Sequence, residues 1–141
     1  MIIPQLSVFL ENKSGRLTEV LEALGEENIR ITALSVADTA EFGILRLIVS
    51  DPDKAREILK KRSFTVNRSE VISVIAPSEA GHYARVLRIL SDLGISVEYT
   101  YAFSAGDKSI IILRCADTEK AITALKSHEL ELLKASDLYK I

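Results

Sequence analysis

The two halves of the 141-residue chain repeat each other with a constant offset of 66 positions. Residues 7–29 align with residues 73–95, and residues 51–60 align with residues 117–126, in both cases without a gap. The identical pairs include Val8/Val74, Gly15/Gly81, Val20/Val86, Leu24/Leu90, Asp51/Asp117 and Ala55/Ala121. Two unrelated amphipathic helices could share a few such matches, but they would not keep one offset through helices, strands and loops. The repeat therefore predicts a duplicated structural unit.

The first copy contains a recognisable succession of strands and helices. Apolar residues at helical spacing begin after Arg16, and Ser14 or Asn12 is predicted to cap that helix. A second helix is predicted to start at Pro52, directly behind a capping Asp51. Four β-rich runs flank these helices, at residues 5–10, 29–37, 42–49 and 64–68, with a turn at 39–41. In the second of these strands, alternation places one face at Ile29, Ile31, Ala33 and Ser35.

The second copy repeats this order. Its predicted helices cover residues 81–93 and 118–127, and the second of them is capped by Asp117. Its predicted strands cover residues 71–76, 95–103, 109–115 and 130–134. Both copies therefore read as βαββαβ.

This order of elements restricts the fold. Because strand–helix–strand crossovers are right-handed, both helices of a copy fall on one face of its antiparallel sheet. The prediction is an α+β protein of two tandem ferredoxin-like sandwiches, with domains at residues 1–69 and 70–141. A unit of about 70 residues is near the lower size limit for folding alone. We therefore expect the halves to join into one pseudo-symmetric unit by shared sheet edges.

Composition argues against several functional classes. The net charge is −2 and charges of both signs are interspersed, which does not favour nucleic acid or a membrane surface as partner. One cysteine and two histidines give no zinc spacing, no catalytic triad and no disulfide, and neither a phosphate loop nor a dinucleotide fingerprint is present. The N-terminus reads as a strand, and no apolar run approaches the roughly 20 residues of a membrane span. We expect a cytoplasmic protein that is not an enzyme and uses no metal or cofactor.

The loop between the first strand and helix carries a family resemblance. Residues 10–17 read Leu-Glu-Asn-Lys-Ser-Gly-Arg-Leu, and Glu27-Asn28-Ile29 opens the second strand. Together with the duplicated βαββαβ order, this pattern resembles the ACT domain family, whose members are small regulatory modules of amino-acid enzymes. The resemblance implies that a free amino acid binds where the loop of one copy faces the second strand of its partner, here the other half of the chain.

Physical chemistry supports a ligand at this loop. Glycine allows close approach, and the first N–H groups of a helix lack partners and attract a carboxylate. Asn12 and Asn28 offer donors and acceptors to an amino acid. The predicted ligand-binding residues are Asn12, Lys13, Ser14, Gly15, Arg16, Leu17, Asn28, Ser78, Ala80, Gly81, His82, Tyr83 and Tyr99.

The second copy departs from the pattern of the first. Ser78 replaces Asn12, Gly94 replaces Asn28, and Glu79 would oppose a carboxylate, so the two copies are not expected to bind equally. An aromatic strand face in this copy is predicted to contact the ligand side chain, and consists of Tyr99, Tyr101 and Phe103.

The favoured function is an amino-acid sensor that modulates a separate enzyme or regulator of amino-acid metabolism, as a monomer or homodimer. Two alternatives stay open at this point. RNA-recognition domains share the strand order, although they use aromatic residues on central strands and a basic surface. A ligand-free adaptor could instead bind a protein partner through an open sheet edge.

Overall fold

The computed structural model describes residues 1–11, 13–38 and 42–141, with the backbone alone for Asp38. The predictions for Asn12 and for the turn at 39–41 lie outside these residues. The described chain separates into two compact units, a first unit at Pro4–Ser69 and a second unit at Glu70–Ile141 together with Met1–Ile3.

The first unit contains two helices and an antiparallel sheet. Its elements are β1 (Ile3–Glu11), α1 (Arg16–Glu26), β2 (Ile31–Asp38), β3 (Phe42–Val49), α2 (Pro52–Lys61) and the start of β4 (Thr65–Pro77). The strands lie in the order β2-β3-β1-β4. Alternate residues of β1 and β3 pack against both helices in one core, which includes Leu6, Val8, Leu10, Val20, Leu24, Leu45, Leu47 and Leu59. Both helices therefore cover the same face of the sheet, as the strand order predicts.

The second unit repeats this arrangement. Its elements are the rest of β4, α3 (His82–Asp92), β5 (Val97–Ala105), β6 (Lys108–Cys115), α4 (Thr118–Ser127), β7 (Glu131–Leu132) and α5 (Ala135–Leu138). The strands lie in the order β7-β4-β6-β5. Its own core, beneath α3 and α4, includes Ile72, Val74, Val86, Leu90, Ile111, Leu113, Cys115 and Leu125. The prediction of two tandem βαββαβ sandwiches is confirmed.

The second helix of each unit begins where the sequence predicts. The Asp51 carboxylate accepts a hydrogen bond of 3.2 Å from the backbone N–H of Lys54. Asp117 accepts a bond of 3.1 Å from the N–H of Lys120. These bonds satisfy a backbone donor that has no partner within the helix.

The strands β2 and β5 each carry a bulge, and in β2 the bulge reverses the predicted alternation. In β2 the pairing register shifts between Ile31, which lies opposite Val49, and Ala33, which lies opposite Ile48. The prediction that Ala33 and Ser35 share the face of Ile31 is therefore wrong, because an extra residue moves the following side chains to the other face. The register shift in β5, between Val97 and Tyr99, lies at the same place in the repeat.

Two predicted boundaries are also wrong. The strands expected at residues 64–68 and 71–76 form one continuous strand, β4, because the intervening Ser69-Glu70 contains neither glycine nor proline to end it. The expected closing strand at 130–134 is only Glu131–Leu132, and the short helix α5 follows it. Leu138 of α5 is fully buried, although it is not part of the core beneath α3 and α4.

Candidate functional site: the helix-opening turns

A left-handed glycine precedes the first helix of each unit. Gly15 has φ 88° and ψ −8°, and Gly81 has φ 86° and ψ −12°. Residues with a side chain rarely adopt these angles, which explains why the repeat keeps glycine at both positions. Each glycine occupies the N-cap position without a side-chain capping bond, so the prediction that Ser14 caps α1 is wrong.

This geometry leaves helix donors available in both turns. In the second unit, the N–H of His82 donates to the Glu79 carbonyl over 3.3 Å, and the N–H of Arg85 donates to the Gly81 carbonyl over 3.0 Å. The two N–H groups between them, of Tyr83 and Ala84, have no partner within the helix. Because glycine offers no capping side chain, these donors remain at the positive end of the α3 dipole, where an anionic group is stabilised.

The turn of the second unit borders a cavity of about 260 Å³. The end of β4, the turn, the start of α3 and the first half of β6 supply its walls, which consist of Pro77, Ser78, Glu79, Ala80, His82, Tyr83, Ser109 and Ile111. The predicted residues Ser78, Ala80, His82 and Tyr83 are thus brought together around one cavity, with Gly81 in the same turn. The cavity is smaller than the roughly 300–1,000 Å³ typical of drug-sized ligands.

One polar atom of the cavity wall has no partner. The Nε2 atom of His82 is buried, and it makes no hydrogen bond within the described part of the chain. A buried polar group without a partner destabilises a protein by about 1–3 kcal/mol.

Tyr83 is fixed by a short chain of hydrogen bonds. The Thr100 hydroxyl donates to the Ile112 carbonyl over 2.8 Å. The Thr100 oxygen lies 2.5 Å from the Tyr83 hydroxyl, and since its own proton is used, Tyr83 is the donor. The ring of Tyr83 is therefore held between α3 and β5, which gives the cavity one rigid wall.

The corresponding turn of the first unit is occupied by its own charged side chains. Arg16 lies 3.0 Å from Glu19 and 3.4 Å from Glu11, and Lys13 lies 2.9 Å from the other oxygen of Glu11. The guanidinium of Arg16 also lies over the Phe64 ring, 5.1 Å from its centroid. A hydrogen bond from Lys13 and the nearby positive charges lower the pKa of the Glu11 carboxyl below its ordinary value. Lys13, Ser14 and Arg16 are thus neighbours, with both cations engaged by carboxylates.

Two predicted residues lie away from these turns within their own units. Asn28 has φ 56° and donates its N–H to the Gly25 carbonyl, at the end of α1 opposite Gly15. Tyr99 lies opposite Arg114 in the sheet, and Thr100 lies opposite Leu113 of the helix-side core. Tyr99 is therefore on the sheet face away from α3 and the cavity. Leu17 packs partly buried against the core of the first unit.

Sequence reasoning missed the cavity wall supplied by β6. Ser109 pairs with Ala76 at the end of β4, and this register brings β6 beside the turn that follows β4. The βαββ order could have indicated this proximity, because the first and third strands of such a unit are neighbours. The sequence predicts Glu79 only as an obstacle to a ligand carboxylate, whereas in the structure this residue is part of the cavity wall.

Within the described residues, no cluster of three or more histidine, cysteine, aspartate or glutamate side chains could hold a metal ion. Cys115 belongs to the second core, where burial raises the pKa of its thiol. None of the helices in the described ranges is both long enough and apolar enough to cross a membrane.

Comparison with known proteins decides the family. A family described as ACT domain pair matches residues 1–141, the whole chain. The chain belongs to this ACT domain pair family. Its resemblance to the ACT domains, first indicated by the loop at residues 10–17 and by the repeat, is thereby confirmed. No curated protein matches the sequence significantly.

Solved structures give the same fold. Protein BT0572 from Bacteroides thetaiotaomicron is 49% identical, with a TM-score of 0.95 over 100% of this chain and 98% of that one. The ligand-free regulatory subunit of aspartate kinase from Thermus thermophilus has a TM-score of 0.66 at 14% identity, over 90% and 94% of the two chains. The corresponding regulatory subunit from Thermus flavus has a TM-score of 0.63 at 14% identity, also over 90% and 94%. This ACT pair thus shares its fold with regulatory subunits.

The left-handed glycine of the second turn is open to a direct test. Gly81→Ala is expected to lower the free energy of unfolding by about 1–2 kcal/mol, because alanine disfavours positive φ. A Cβ at this position would meet no atom within 4 Å, so the cost is purely conformational. Urea unfolding of the wild type and the variant measures this difference in the free energy of unfolding.

Gly25→Ala, within α1, is the matched control. A Cβ there also meets nothing within 4 Å, but the backbone is helical, so this variant should gain up to about 1 kcal/mol. Equal losses in both variants would contradict a special role for the backbone angle of Gly81.

Proposed function

We propose that this ACT domain pair binds a free amino acid at the turn of its second unit and thereby regulates a separate protein, without catalysing a reaction itself. The observation that carries the proposal is the cavity beside Gly81, where unpartnered helix N–H groups, Glu79 and His82 meet. The helix N–H groups supply donors for a carboxylate, and the Glu79 side chain supplies an anion for an ammonium group.

The regulatory part of the proposal is supported by the fold. The aspartate kinase subunits with the same fold are named as regulatory subunits. We infer that this chain acts in the cytoplasm on an enzyme or regulator of amino-acid metabolism, as a monomer or homodimer, and that bound ligand changes its affinity for that partner. A ligand can shift such an equilibrium only by its differential affinity for the two states.

A thermal-shift screen against the twenty amino acids tests the binding step. A ligand that binds the folded state alone stabilises it by about 2.7 kcal/mol at one hundred times its Kd. For a protein of this size we expect the melting temperature to rise by several degrees for a few amino acids. The screen would contradict the proposal if the melting temperature stayed constant for all twenty at millimolar concentrations.

A further inference from the structure

The two turns share a backbone conformation but carry opposite charges. At positions related by the repeat, Lys13 of the first turn corresponds to Glu79 of the second, and Arg16 corresponds to His82. In the first turn both cations contact carboxylates of their own unit. The second turn has exchanged these cations for a carboxylate and an imidazole, so the two turns cannot select the same ligand.

Among the described residues that line the cavity, Glu79 is the only acidic one, and none is a lysine or an arginine. Its carboxylate makes no hydrogen bond or ion pair among the described residues, and the residue is exposed. An α-ammonium group beside Glu79 and an α-carboxylate on the N–H groups of Tyr83 and Ala84 would balance each other's charge. A further carboxylate on the ligand side chain would meet no lysine or arginine in this wall, since Arg85 lies in the adjoining pocket, and it would be repelled by Glu79.

The rest of the wall combines polar and apolar groups. Ser78 and Ser109 contribute hydroxyl groups, and Ile111 is a buried apolar contact. The buried Nε2 atom of His82 has no partner among the described residues, and it can donate or accept according to its tautomer. Because Glu79 already pairs with the α-ammonium group, a second cation on the ligand would meet no second anion in the described wall. The two hydroxyl groups therefore favour a ligand side chain that forms hydrogen bonds and carries no charge.

We propose that the second turn selects an amino acid with an uncharged, hydrogen-bonding side chain, a hydroxyl or an amide, whose ammonium group pairs with Glu79. This inference rests on the proposed function, since it names the ligand class of the same cavity. A purely aliphatic side chain would form no hydrogen bond with the hydroxyl groups of Ser78 and Ser109, and a site built for hydrogen bonds discriminates strongly against ligands that lack them.

Isothermal titration calorimetry with isosteric pairs of free amino acids tests this selectivity. Threonine is compared with valine, asparagine with aspartate, and glutamine with glutamate. In at least one pair, the uncharged hydrogen-bonding member is expected to bind at least tenfold more tightly. Equal affinities within all three pairs, or a preference for valine, aspartate or glutamate wherever the two members differ, would overturn the inference and leave amino-acid binding intact. No binding by any amino acid would overturn the proposed function itself.

Substitution of the carboxylate tests how the ligand is oriented. Glu79→Gln is expected to weaken binding of the preferred amino acid about tenfold or more, because it removes the anion that pairs with the ammonium group. Glu119→Gln makes the same change at an exposed position in the first turn of α4, and it should leave the Kd within about twofold. Equal Kd values for the wild type and Glu79→Gln would overturn the assignment of Glu79.

Discussion

Replacing Leu90 with alanine is expected to lower the free energy of unfolding by about 2–5 kcal/mol, the range for a large apolar side chain removed from a packed core. Leu90 lies on the inner face of α3 and is fully buried in the core of the second unit. The truncation removes buried apolar surface from the core. The neighbouring atoms also lose their van der Waals contacts with the deleted methyl groups. Denaturant unfolding followed by circular dichroism measures the change.

The exposed Leu93 provides a matched control for this truncation. It follows α3 directly and is 46% exposed. The same substitution there should cost less than about 1 kcal/mol, because surface positions contribute little. A loss at Leu93 equal to that at Leu90 would show that the helix end, and not the core, determines the stability of this unit.

Replacing Ser109 with leucine is expected to weaken binding of the cognate amino acid at least about a hundredfold, which corresponds to about 2.7 kcal/mol. Ser109 lines the cavity of about 260 Å³ from β6. The longer branched side chain would occupy the volume that the ligand needs, close to the helix N–H groups. Its effect on the folded state should be small, because Ser109 is only half-buried, near the start of the strand.

Ser109→Ala separates blocking from loss of a hydroxyl group. It leaves the cavity open, so binding should weaken by no more than about tenfold, the worth of one hydrogen bond. Calorimetry on both variants, with melting temperatures measured without ligand, provides the comparison. Undiminished affinity in the leucine variant would mean that the ligand binds elsewhere.

Much of the fold could be predicted because its signals are local and occur twice. Asp51-Pro52 defines a helix start through capping and a fixed φ, and its counterpart Asp117 repeats the cap. The bulges after Ile31 and Val97 could not be predicted, because they insert a residue into a strand without a local sequence signal. The uninterrupted β4 was missed because polar residues such as Ser69 are compatible with both a strand and a loop.

The site was predictable in part. Gly15 and Gly81 could be predicted because a tight junction between a strand and a helix favours a residue without a side chain. Both glycines have a positive φ in the structure. The contribution of Ser109 depends on the register between β4 and β6, which involves residues more than thirty positions apart. The prediction that Glu79 opposes binding takes only the carboxylate of the ligand into account. A zwitterion also needs an anion for its ammonium group.

The most direct measurement is a titration of the ¹⁵N-labelled protein with free amino acids, followed by backbone amide resonances. An amino acid held at the second turn should shift the amides of Tyr83 and Ala84 most, because their N–H groups acquire a carboxylate acceptor. The residues around Ser78 and Ser109 should follow, while the amides of α4 stay nearly unchanged. Saturating amino acids that left the Tyr83 and Ala84 resonances in place would contradict binding at this turn.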